Sequence, residues 1–149
     1  MRRAFLIASL PLLVATADAP AQGEDHTVTI SATVGGKSYQ AGGPGNCKHF
    51  GYNADFPIWM AHYNDPETGT VRLDLTYGKN KGSKDRLSLV MATGTTSHEI
   101  NTLMPGAGTG SATVHPAGKG GRIEVKGKDA EGVAIKLTVK CATFQEIQG

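Results

Sequence analysis

The stretch GSATVHPAGKGGRIEVKGKDAEGVAIKLTVKC, residues 110–141, decides the fold class. Apolar residues fall on alternate positions in three short runs: Ala112 and Val114; Ile123 and Val125; Ile135, Leu137 and Val139. Hydroxyl-bearing and charged side chains fill the positions between them. A period of two places successive side chains on opposite faces of a strand, so each run predicts a strand with one buried and one wet face. Glycine-rich residues 118–121 and the tetrad Asp129-Ala130-Glu131-Gly132 separate the runs with turn formers. Together they predict an antiparallel meander. Its last strand ends on Cys141, and the only other cysteine in the chain is Cys47.

The same alternation recurs outside the meander. Val28, Ile30, Ala32 and Val34 alternate with threonine and serine, and Gly35-Gly36 then signals a two-residue hairpin. Lys37 to Gln40 starts the return strand, and Ala41 to Asn46 reads as a Gly/Pro loop that delivers Cys47. Ile58 to Tyr63 predicts a strand with large groups on both faces. Asn64 to Gly69 is a turn, and Val71, Leu73, Leu75 and Tyr77 form the cleanest alternating set. A polar loop over Gly78 to Asp85 leads to Leu87, Leu89 and Met91, followed by a strand over Ile100 to Met104. Ala142 to Gly149 reads as a tail. No window carries a helical period. Eight or nine short strands at spacings of about 8 to 12 residues predict an antiparallel β-sandwich, closed by one disulfide.

Residues 1–21 read differently. Arg2-Arg3 precedes an apolar run from Ala4 to Ala15, and small residues follow at Ala15, Ala17, Ala19 and Ala21. This is the pattern of a signal peptide, with cleavage expected after Ala17 or Ala21. The run is shorter than the roughly 20 apolar residues of a permanent membrane helix. Residues 22–149 are then expected as one exported domain, periplasmic or secreted. Export permits a disulfide. With two cysteines only Cys47–Cys141 can form within the chain, and closing so long a loop stabilises by up to about 4 to 5 kcal/mol.

Composition narrows the function. The 149 residues are 39% hydrophobic, which suits a single domain. The 20 glycines exceed the usual share of about 7%, and without raised proline they signal many turns. A formal net charge of +2 gives no ground for a nucleic-acid partner.

From Gly110 to Cys141, a leading glycine, Ala112-Thr113-Val114, a Lys-Gly step, the Ile-x-Val-x-Gly of Ile123 to Gly127 and a terminal strand ending in cysteine form one series. With Gly36-Lys37 and Cys47 in comparable order upstream, that series resembles the end of the mycobacterial nineteen-kilodalton lipoprotein antigen family. The likeness covers about half of the mature chain. It implies a small extracytoplasmic β-domain. The chain departs from that family in lacking the lipid-modified cysteine that directly follows the signal segment, so no lipid anchor is expected.

Catalytic signatures are missing from the sequence. His26, His49, His62, His98 and His115 show no metal-site spacing; His49 and His62 are the pair best placed to converge from separate strands. Asp55, Asp65, Glu67 and Asp74 lie close in sequence, yet read as turn residues and a solvated strand face rather than a glycosidase pair. There is no nucleophile elbow, and a disulfide would occupy both thiols. Gly118-Lys119-Gly120-Gly121-Arg122 runs into a strand, not a helix, which suits a hairpin turn better than a phosphate loop. No enzyme activity, cofactor or metal is expected. The aromatic span Phe50 to Tyr63 carries the leading functional expectation. Trp59, Tyr52, Phe56 and Tyr63 would offer flat surfaces to a small molecule or glycan. The alternative is a structural or protein-interaction module of the envelope, with an envelope protein as partner and no small-molecule ligand; a further alternative is a small metal-dependent enzyme.

Overall fold

A computed structural model describes residues 26–51 and 56–148. The signal segment, Tyr52 and Asp55 lie outside the described residues. Nine strands form one continuous antiparallel sheet: β1 (Thr27–Val34), β2 (Lys37–Phe50), β3 (Ile58–Asn64), β4 (Val71–Gly78), β5 (Arg86–Thr93), β6 (Thr96–Asn101), β7 (Thr109–Ala117), β8 (Gly120–Lys128) and β9 (Ala134–Cys141). A tenth strand, β10 (Gln145–Ile147), adds to β2 in parallel. The strand order is β6-β5-β4-β3-β2-β1-β9-β8-β7, and the sheet curls until it nearly closes. Among the described residues there is no α-helix, and so no helix long and apolar enough to cross a membrane.

The two layers are halves of this one sheet. The meander sheet holds β7, β8, β9, β1 and the first half of β2. The aromatic sheet holds the second half of β2 with β3 to β6 and β10. Strand β2 passes from one to the other. Its residues 37–44 pair with β1, and residues 45–50 pair with β3. The Gly/Pro loop expected at 41–46 is therefore a strand that bends between layers. Its glycines are needed for close approach. A Cβ on Gly45 would lie 2.5 Å from Val28 Cγ2 and 3.0 Å from the His62 carbonyl. Gly43 has a φ of 150°, which side chains rarely adopt.

Two other boundaries differ from the sequence reading. Strand β6 runs from Thr96 to Asn101, so Leu103 and Met104 sit in the following turn. Hydrogen bonds from Met104 N to Asn101 O and from Ala107 N to Met104 O end the strand there. The expected tail is also built in. Phe144 is buried in the core, its N–H bonds Lys119 O at 2.8 Å, and β10 covers the edge of β2 beyond the part that β1 occupies.

The inner faces supply the core that the alternation implied. Ile30, Leu73, Leu89, Met91, Ile100, Ile123 and Val139 are all sealed from solvent. The bond Cys47–Cys141 spans the layers, from the second half of β2 to the end of β9, with a Cα–Cα distance of 6.1 Å. At the opposite margin, where β7 returns towards β6, glycines make the closure possible. A Cβ on Gly110 would meet Leu87 Cδ2 at 3.1 Å, and one on Gly127 would meet Ile100 Cδ1 at 2.7 Å. His98 on β6 donates to Asp129 in the β8–β9 turn at 2.8 Å, a largely buried pair that bridges this margin. Burial pushes the Asp129 carboxyl up. The hydrogen bonds from His98 and from the Val133 and Glu131 N–H groups outweigh it and hold the carboxyl below its usual range.

Candidate functional site

Alternation along β3 sorts the aromatic span into two environments. Trp59, Ala61 and Tyr63 face inward, and Ile58, Met60 and His62 face outward. Tyr63 is 1% exposed and its hydroxyl donates to Gly42 O at 3.3 Å, so it is a core residue and leaves the set of ligand-facing aromatics. Trp59 is half-buried in a ladder of stacked rings. His49 lies against it at 4.9 Å between centroids with planes 18° apart, and Tyr77 lies on its other side at 6.0 Å and 22°. The register explains the ladder, because His49, Trp59 and Tyr77 occupy directly paired positions on β2, β3 and β4.

Polar groups anchor both ends of this ladder. His49 Nδ1 lies 2.9 and 3.0 Å from the two carboxylate oxygens of Glu146 on β10, so Nδ1 carries the proton and donates. The other ring nitrogen, Nε2, is buried and has no hydrogen-bond partner. Tyr77 donates its hydroxyl to Asp85 Oδ2 at 2.7 Å, and Asp85 Oδ1 accepts the Asn80 N–H at 2.9 Å. Burial and then the Asp85 contact push the Tyr77 hydroxyl above its ordinary range, so it stays protonated. Hydrogen bonds from Asn80 and Tyr77 hold the Asp85 carboxyl below its own. These pairs lock the stack in place.

Phe56 is the aromatic that reaches the surface beside an opening. Its ring covers Gly78, where a Cβ would lie 2.8 Å from Phe56 Cζ, and the Arg86 guanidinium sits 4.9 Å from the ring centroid. Phe56, Ile58, Gly78, Leu87 and Leu103 line an apolar notch of about 220 Å³, with Arg86 contributing the cation. Leu103 is 61% exposed and the adjacent Met104 57%, the most exposed large apolar side chains among the described residues. Sequence reasoning missed Leu103, Leu87 and Arg86 as neighbours of Phe56. Register brings Ile58 beside Gly78 and Gly78 beside Arg86, and the turn after β6 carries Leu103 to the same notch.

A second, more polar hollow of about 290 Å³ lies on the outer face of β2, β3 and β4. It holds His62, whose Nδ1 donates to Asp74 Oδ1 at 2.5 Å; Arg72 reaches the other Asp74 oxygen at 3.4 Å. Asn46 Oδ1 is buried there without a partner.

The two histidines considered as a metal pair do not converge. His49 points inward from β2 and His62 outward from β3, because their positions differ in parity across the paired strands. Among the described residues no three His, Cys, Asp or Glu side chains are grouped for a metal ion. Asp65 caps its own turn by accepting the Glu67 and Thr68 N–H groups, as the sequence implied, and Asp74 is engaged with His62. The chain matches no protein-family profile, no curated protein and no solved structure.

Proposed function

We propose that this is an exported, non-catalytic binding protein whose ligand site is the notch of Phe56, Ile58, Leu87 and Leu103 capped by Arg86. The observation that carries the reading is the combination of an open apolar notch with a cation at its rim, on a frame fixed by the stacked rings beside it. Apolar walls with one oriented charge suit a ligand that has an aromatic or short aliphatic body and an anionic group. The notch is smaller than the roughly 300 to 1,000 Å³ of a drug-sized site, so it takes one such group, alone or as the end of a larger molecule. The pairing Cys47–Cys141 is compatible with an oxidising compartment, in keeping with the signal pattern of residues 1–21 and the resemblance to an exported lipoprotein family.

The test is titration of the mature protein with anilinonaphthalene sulfonate, followed by amide chemical shifts. Shifts are expected to cluster at Phe56, Ile58, Leu87 and Leu103, and Phe56→Ala is expected to weaken binding by about tenfold, the factor that 1.4 kcal/mol represents. Shifts confined to another part of the sheet would remove the notch as the site. Export is checked by the mass of the protein recovered outside the cytoplasm, which should lack the residues before Asp18 or Gln22. Exposed Leu103 and Met104 also favour a second reading, in which the notch receives an apolar side chain of an envelope protein. In that case Met104→Asp, which leaves the notch lining intact, abolishes protein association and spares the small-molecule titration.

A further inference from the structure

The outer face of the meander sheet has a composition unlike the rest of the molecule. Five cations point outward from β8 and β9: Arg122, Lys126, Lys128, Lys136 and Lys140, all exposed. The register sets like charges directly opposite one another. Arg122 pairs with Lys140, and Lys126 pairs with Lys136. Such pairs repel, and a stability-optimised sheet alternates their signs. On the other flank of β9, Lys140 faces Thr29 and Lys136 faces Thr33, so no carboxylate stands directly across from either lysine. The one carboxylate on this part of the face is Glu124, between the two pairs. It is already engaged, accepting from Arg122 Nε at 2.9 Å with His115 Nε2 at 3.3 Å. The Arg122 hydrogen bond leads in holding its carboxyl below the usual range.

The surface beside Arg122 and Lys140 is hollowed and lined with hydroxyls. Two grooves, of about 400 and 420 Å³, meet at Thr29 and Lys140 and so form one trough across β8, β9, β1 and β2. Thr27, Thr29, Ser31, Thr138 and Gln40 line it, with Arg122 and Lys140 as the cations. Threonine, serine and glutamine side chains donate and accept, which suits the hydroxyls of a sugar. The single aromatic ring in the lining is the His115 imidazole, which is engaged with Glu124; no Phe, Tyr or Trp lines the trough for a nucleobase to stack on, and no large apolar side chain projects from it for a bilayer to receive. The two cation pairs lie four residues apart along the strands, about 13 Å at the rise of a β-strand, so a ligand that meets both is extended.

We infer that the trough on the outer face of β8, β9, β1 and β2 binds an extended anionic polysaccharide, its acidic groups on Arg122 and Lys140 in the trough and on Lys126 and Lys136 farther along the same face, and its hydroxyls on the Thr/Ser/Gln lining. This surface lies on the opposite sheet from the Phe56 notch and is independent of it.

The experiment titrates the full mature protein with alginate oligosaccharides, neutral dextran, phosphatidylglycerol vesicles and a single-stranded oligonucleotide. The expected result is binding to alginate alone, weakening as salt rises, because exposed charges are screened beyond about 8 Å at physiological ionic strength. The double variant Arg122→Gln/Lys140→Gln should lower alginate affinity about tenfold or more, because it removes two cations that pair with the ligand and weakens the long-range attraction of the face. Thr29→Val keeps every charge and should weaken it several-fold. Phe56→Ala should leave it unchanged, which separates this surface from the notch. The inference falls if alginate does not bind, if dextran binds equally, or if vesicles or the oligonucleotide bind in its place. It also falls if the loss follows Lys79→Gln/Lys81→Gln/Lys84→Gln in the β4–β5 loop rather than the trough variants.

Discussion

The two sheets solve the same problem in different ways. On the outer face of the aromatic sheet, charges are matched locally: His62 and Arg72 both reach Asp74. On the outer face of the meander sheet, cations stand across from cations. The inner faces differ too. The meander sheet buries aliphatic side chains from every second position, whereas the aromatic sheet adds the ring ladder His49–Trp59–Tyr77, pinned at its ends by Glu146 and Asp85. One sheet thus has a regular interior and an unbalanced exterior, and the other a balanced exterior and a specialised interior.

The largest expected effect comes from separating the sheets. Replacing both cysteines, Cys47→Ser/Cys141→Ser, opens a link between residues 94 apart and should cost up to about 4.7 kcal/mol in the chain-entropy account, read as a fall in melting temperature under non-reducing conditions. If the meander sheet retains its amide protection while the aromatic sheet loses it, the two halves differ in intrinsic stability as well as in surface.

Asp129→Asn tests the other margin, where β6 and the β8–β9 turn meet. Removing the charge of a buried, hydrogen-bonded carboxylate should destabilise by about 1 to 3 kcal/mol near neutral pH. The folded carboxyl titrates below the unfolded one, so its stabilisation is complete above an unfolded value of about 3.9 and fades as pH falls through the folded value. The gap between the natural protein and the variant should therefore close in acid, as urea denaturation at pH 7 and pH 3 would show. A gap of equal size at both would mean that shape, not charge, holds the margin.

Tyr77→Phe should be milder. It keeps the ring on Trp59 and removes the hydroxyl from Asp85, which retains the Asn80 N–H, so a loss of about 1 kcal/mol is expected. Fluorescence of Trp59, the single tryptophan, should change little if the stack is held by packing, and should lose definition if the Asp85 anchor orients it. The smallest effect is expected at Lys136→Glu, opposite Lys126. It should stabilise by about 0.5 kcal/mol at low salt, and the gain should shrink as salt rises. A loss of stability instead would show that the cations of this face are matched by groups other than their cross-strand neighbours.

Much of the architecture can be read from particular residues. The alternations around Val28, Leu73, Leu89, Ile123 and Leu137 place β1, β4, β5, β8 and β9 because burial on one face of a strand requires a period of two. Gly35-Gly36 marks its hairpin because both residues take positive φ, at 55° and 83°. The elements that escaped are those stabilised by distant partners. Residues 41–46 look like a loop by composition and are a strand because β1 and then β3 template them. Residues 145–147 look like a tail and become β10 because the edge of β2 is free to accept them. Of the aromatic candidates, Tyr63 belongs to the core and Phe56 to the surface, a distinction of facing and depth that residue type does not encode.

Local periodicity and a count of two cysteines are enough to give the all-β class, the main strands and the identity of the disulfide partners. Tertiary structure alone decided that two layers are one sheet, bent where Gly45 passes Val28, and that Arg86 and Leu103 meet Phe56. It also decided that Lys126 and Lys136 stand face to face. These depend on register between strands, and for Leu103 on where the turn after β6 falls; register is fixed by which faces the assembled core must bury.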